Sequence, residues 1–136
     1  MNRNFIPYQE AFELKQLGYP QNEYFAWYGS NELNYDSEYD QDAFTHACCA
    51  APLYQQAFEF FRYRYNLKSC IMFRTSMEDD VEYYDWLIKG EEVIYRHFPD
   101  YKDAELACIK ELIEIVKLNI KLYEKRQTTN SNRVAD

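Results

Sequence analysis

Residues 69–88 read SCIMFRTSMEDDVEYYDWLI. Ser69 to Ser76 and Val81 to Ile88 have the composition of strands, and only the charged turn Met77-Glu78-Asp79-Asp80 separates them. A parallel pair needs a crossover of about a dozen residues or more, so a turn this short makes the pair antiparallel. Downstream, Lys89-Gly90-Glu91 turns the chain again into Val93, Ile94 and Tyr95. A three-stranded meander is predicted.

Helical signals flank this meander. Pro7 suits a first helical turn, Ala11, Leu14 and Leu17 recur at spacing three, and Gly18 supplies a C-terminal stop, so a helix is expected over 7–17. The aromatic run 23–28 reads as a strand opening a hairpin at Gly29-Ser30-Asn31, with a weaker return at 33–35. Residues 36–42 look like an exposed loop before a further strand at 44–49. Pro52 then restarts a helix in which Leu53, Tyr54, Ala57, Phe58, Phe61 and Tyr65 share one arc and Gln55, Gln56, Glu59 and Arg62 oppose them.

The last element carries the strongest helical pattern. Asp100 is a good N-cap, Asp103 and Glu105 lie near the positive end, and Lys117, Lys121, Lys125 and Arg126 lie toward the negative end. A helix is expected from about Tyr101 to about Lys125. Its apolar set, Ala104, Cys108, Ile109, Leu112, Ile113, Ile115, Val116, Ile120, Leu122 and Tyr123, covers close to half the circumference. One packed face needs only a stripe of about 100°, so part of this set, namely Ile113, Ile120, Leu122 and Tyr123, is expected to meet a partner or a second copy. The expected fold is α+β: a mainly antiparallel sheet with about three helices on one face, one domain over 1–126, and a disordered tail over 127–136.

Composition removes several classes of function. The chain has 136 residues, 47% apolar and 18% aromatic, with 15 basic against 23 acidic side chains and a net charge of -8. That apolar share belongs to a folded domain and not to an acidic disordered tail. No apolar run approaches the roughly 20 residues of a membrane span, and no secretory signal is legible before Tyr8-Gln9-Glu10. A cytoplasmic protein is therefore expected, with its four cysteines reduced.

The charge is uneven. Residues 1–61 hold two bases and nine acids, whereas residues 62–136 hold thirteen bases and fourteen acids. Glu32, Asp36, Glu38, Asp40 and Asp42 lie in the stretch between Gln16 and Phe61 that holds no Lys or Arg, and are the candidate interaction surface for a basic protein partner. Acids at 36, 38, 40 and 42 fit the first ligands of a calcium loop, but Gln41 replaces the turn glycine and Ala47 the bidentate Glu, so a solvated acidic loop is expected.

Other constellations are weaker. His46, Cys48 and Cys49, with Cys70, His97 and Cys108, lack the paired spacing of a zinc site, and adjacent strand cysteines point to opposite faces. They read as small apolar residues. Arg62-Tyr63-Arg64-Tyr65 with Lys68 interleaves cations and rings, yet the net charge opposes phosphate binding, so nucleic acid is not expected. Glu78, Asp79 and Asp80 read as exposed turn charges rather than an acid–base pair. Neither a phosphate-cradling glycine loop, a GxSxG elbow nor an HExxH helix is present, and neither a metal nor a cofactor is expected.

Three stretches carry a resemblance. They are residues 8–11 (YQEA) continuing through 14–19 (LKQLGY), residues 51–58 (APLYQQAF) followed by Phe60-Phe61-Arg62, and residues 101–117 (YKDAELACIKELIEIVK). Together they resemble a group of small uncharacterised proteins encoded by Bacteroides-group bacteria and their phages. The resemblance implies a genomic setting and carries no catalytic residue. This chain departs from the pattern by prolonging its last helix beyond Lys117. The expected function is that of a non-enzymatic phage or mobile-element accessory protein acting by protein–protein interaction through an acidic or aromatic surface, with a self-assembling virion or structural component and an unrecognised enzyme as alternatives.

Overall fold

The computed structural model describes residues 3–22, 24–29, 31–35, 48–92 and 96–134. Helix α1 spans Tyr8–Gln16 and buries Glu10, Ala11 and Leu14. Gly18, at φ 99°, lets the chain reverse, and the Tyr19 N–H closes the end by donating to the Leu14 carbonyl at 2.9 Å. Strands β1 (Trp27–Gly29) and β2 (Glu32–Asn34) form a short antiparallel hairpin turned at Asn31, where φ is 72°. Strand β3 (Cys49–Ala50) pairs with the other edge of β1, placing Cys49 opposite Tyr28. The Tyr28 hydroxyl donates to the Ile6 carbonyl at 2.6 Å, which ties this sheet to the segment entering α1.

Helix α2 spans Tyr54–Arg64, and the Gln56 side chain reaches back to accept the Leu53 N–H at 2.9 Å. Its arc is as expected from the sequence: Tyr54, Ala57 and Phe61 are buried, while Gln55, Glu59 and Arg62 face outward. Strands β4 (Ser69–Thr75) and β5 (Glu82–Ile88) form the antiparallel hairpin that the short turn dictates, in a register running from Ser69 opposite Ile88 to Thr75 opposite Glu82. Helix α3 runs Tyr101–Val134. Asp100 caps it by accepting the Lys102 N–H at 2.8 Å, and Arg3 holds the same aspartate at 2.8 Å.

The fold is α+β with three helices, as the sequence implies, but its strands divide into two small antiparallel sheets, β2-β1-β3 and β4-β5. The third meander strand expected at 93–95, and the strand start expected at 44–47, lie outside the described residues. The main apolar cluster has Ile6, Leu14, Phe61, Ile88, Ile109, Leu112, Ile113 and Val116 at its centre, and Trp27 and Cys48 form a small second one.

Two sequence expectations need correction. Ile113 is fully buried in that cluster and does not belong to a surface stripe. The tail expected to be disordered from Gln127 is helical as far as Val134. Extending an existing helix costs no new nucleus, and neither Gly nor Pro interrupts 101–134. Thr128 and Thr129 satisfy their hydroxyls within the helix, on the carbonyls of Glu124 and Lys125, at 3.1 and 3.0 Å.

Candidate interaction surface

Burial divides α3 in two. Ala104, Cys108, Ile109, Leu112, Ile113 and Val116 are buried, yet every residue from Leu118 to Asn130 is exposed. At about 1.5 Å per residue, 118–134 forms an arm of roughly 25 Å beyond the folded body. Four large apolar side chains stand on it: Leu118 (58% exposed), Ile120 (40%), Leu122 (46%) and Tyr123 (64%). Ile120 and Tyr123 prolong the line of Ile113 and Val116, past the point where the body stops covering it.

A second face of the arm mixes apolar and basic groups. Leu118, Lys121, Leu122, Lys125 and Arg126 follow one another at helical spacings of three and four and so lie side by side. Leu122, Lys125, Arg126, Thr129 and Asn130 line a shallow groove of about 420 Å³ here. Among the described residues, Lys121, Lys125 and Arg126 take part in no ion pair, in contrast to Lys117, which is held by Glu13 at 3.1 Å and Glu114 at 3.7 Å.

The β4–β5 hairpin has the opposite composition at its tip. Glu78, Asp79, Asp80 and Glu82 are exposed there, together with Phe73, Met77 and Val81. The turn is closed by the Ser76 N–H donating to the Val81 carbonyl at 2.9 Å and the Asp80 N–H donating to the Ser76 carbonyl at 3.0 Å. Asp80 takes φ 56°, a left-handed conformation that Asp tolerates better than most residues. A bond from Ser76 holds the Asp79 carboxyl below its usual pKa, so it stays charged.

The sequence-predicted acidic surface is only partly visible. Glu32 is exposed at the start of β2, whereas Asp36, Glu38, Asp40 and Asp42 lie outside the described residues, as does His46. Cys48, Cys49 and Cys108 are buried and Cys70 is exposed, all as free thiols. Burial pushes Cys49, Cys108 and the Tyr28 hydroxyl up to about 12, so all three are neutral at neutral pH. Among the described residues, no group of three or more His, Cys, Asp and Glu is placed to hold a metal ion, and no helix is long and apolar enough to cross a membrane.

His97 meets a carboxylate instead of a thiol. Asp85, 1% exposed, accepts the backbone N–H groups of Arg96 (3.0 Å) and His97 (2.7 Å) on Oδ1, and its Oδ2 lies 3.4 Å from His97 Nδ1. Elsewhere, an open cleft of about 650 Å³ gathers Glu59, Arg62, Cys70, Tyr101 and Glu105 without a histidine, and one of about 640 Å³ between Tyr19, Phe60 and Tyr63 is lined by aromatic and polar side chains. Cys70 lines the first of these clefts, and His97 lines neither.

A comparison of the chain with protein-family models, curated proteins and solved structures finds no match in any of the three.

Residue-by-residue reading missed the pairing of compositions between arm and tip. Element-by-element charge would have found it: residues 117–126 carry four bases and one acid, and residues 73–82 carry four acids and one base. Averaging over half-chains blurred both.

Proposed function

We infer that the protein acts by protein–protein contact rather than by catalysis, with the exposed arm of α3 as its contact element. The observation that carries this reading is the exposure of Leu118, Ile120, Leu122 and Tyr123 on a helix the body no longer supports. Four large apolar side chains left in water along a stretch of helix with no tertiary cover are a cost of the free state. Docking removes it by helix-in-groove burial of side chains three and four residues apart.

The test uses a photo-crosslinking amino acid in the expressed full chain, at position 122 on the arm or at the exposed position 59 on α2. Discrete protein adducts from 122 and none from 59 are expected. No adduct from 122 would sink the reading.

A further inference from the structure

We propose that the occupant of the arm is a second copy of this chain: the basic arm of one molecule docks on the acidic β4–β5 tip of another, and the contact is made reciprocally. This rests on the arm being a contact element and names its partner.

Three observations carry it. The first is complementarity. The arm sets Leu118 and Leu122 among Lys121, Lys125 and Arg126, and the tip sets Phe73, Met77 and Val81 among Glu78, Asp79, Asp80 and Glu82. Each offers apolar contact ringed by charge mainly of one sign, Glu124 on the arm and Arg74 on the hairpin being the exceptions, and the two excesses are opposite. Two arms facing each other would instead oppose like charges.

The second is that a molecule cannot satisfy itself. At the hairpin base, Ser69 hydrogen-bonds Cys108, within α3. Nearer the tip, Tyr84 packs its ring on Tyr101, the first residue of α3, at 5.5 Å, and pairs with Phe98. The hairpin therefore runs along the buried part of α3 toward its N-terminal end, and the turn at 77–80 lies beyond it. The arm leaves from the other end of a helix with no Gly or Pro to bend it. Tip and arm of one molecule are kept apart by the body.

The third is closure. Two molecules side by side with their α3 helices antiparallel bring each arm to the other's tip, so one two-fold axis makes the contact twice and leaves neither the basic face of an arm nor a tip unpaired. Open head-to-tail docking would leave one arm and one tip free at the ends of every chain of molecules.

Sedimentation equilibrium of the full chain tests this with charge reversal. The wild type is expected to dimerise at tens of micromolar, more weakly as salt rises. The variants Lys121→Glu/Lys125→Glu and Glu78→Lys/Glu82→Lys alter exposed side chains only, and each is expected to weaken dimerisation roughly tenfold or more. Mixed together, the two reversed proteins are expected to recover a heterodimer. A chain that stays monomeric, a dimer unaffected by either reversal, or a mixture that does not recover would each overturn the pairing. So would oligomers that lengthen with concentration. A monomer whose position 122 still crosslinks to another protein, such as an acidic one, overturns self-pairing while leaving the contact role of the arm intact.

Discussion

Asp85 shows how one buried residue organises a segment distant in sequence. It lies on β5, yet its Oδ1 satisfies two backbone N–H groups at 96 and 97, where His97 takes φ 56°. Asp85→Ala would leave both donors without that acceptor, and a loss of about 3 kcal/mol is expected from urea unfolding, with Asp85→Asn costing less because one carbonyl oxygen remains. Phe61 tests the core itself. At 0% exposure and in contact with Phe60 and Tyr65, its replacement by Ala should destabilise by about 3 kcal/mol or more, and an unchanged melting temperature would contradict the facing of α2. The thiols give a pH dependence. Cys49 and Cys108 hold their protons to about 12 in the fold, against 9.0 ordinarily, so the unfolded chain releases protons first as pH rises. Their contribution is complete below about pH 9 and is lost between there and about pH 12, so alkaline unfolding should move to higher pH in Cys49→Ala. An unfolding midpoint that does not move would count against this linkage.

At the scale of elements, local signals were readable and distant pairings were not. The Asp100 cap, the α2 arc and the β4–β5 turn each depend on residues within a few positions of one another, and all three stand in the structure. The sheet β2-β1-β3 depends on Tyr28 meeting Cys49 across the chain, and no periodicity in its two- and three-residue strands announces it. The end of α3 is not legible because residues 127–136 are polar and without hydrophobic periodicity, whereas a helix already nucleated by the body continues through them to Val134. The candidate stripe was half readable: Ile120, Leu122 and Tyr123 are exposed as expected, but where the body stops covering α3 is set by tertiary packing, which took Ile113 inside. Glu124→Pro should therefore lower the helical signal in circular dichroism while leaving the melting temperature of the body unchanged, because the turn it disrupts is exposed throughout. A large fall in melting temperature would show that the arm supports the body.

For the whole molecule, the net charge of -8 understates the polarity of the design. Acidic groups crowd the hairpin tip at one end and basic groups the helical arm at the other, with the apolar core between them. Such a molecule has a direction, and in the proposed dimer its end-to-end complementarity would make association steerable by charge and sensitive to salt. The account rests on the arm being sheltered by a second molecule rather than standing free. Hydrogen–deuterium exchange followed peptide by peptide along α3, at two protein concentrations, examines this directly. Amides at 108–116 should exchange slowly at both concentrations because the body buries them, while those at 118–130 should exchange fast when dilute and become protected when concentrated. Fast exchange of the arm at every concentration, or equal protection at both, would contradict the account.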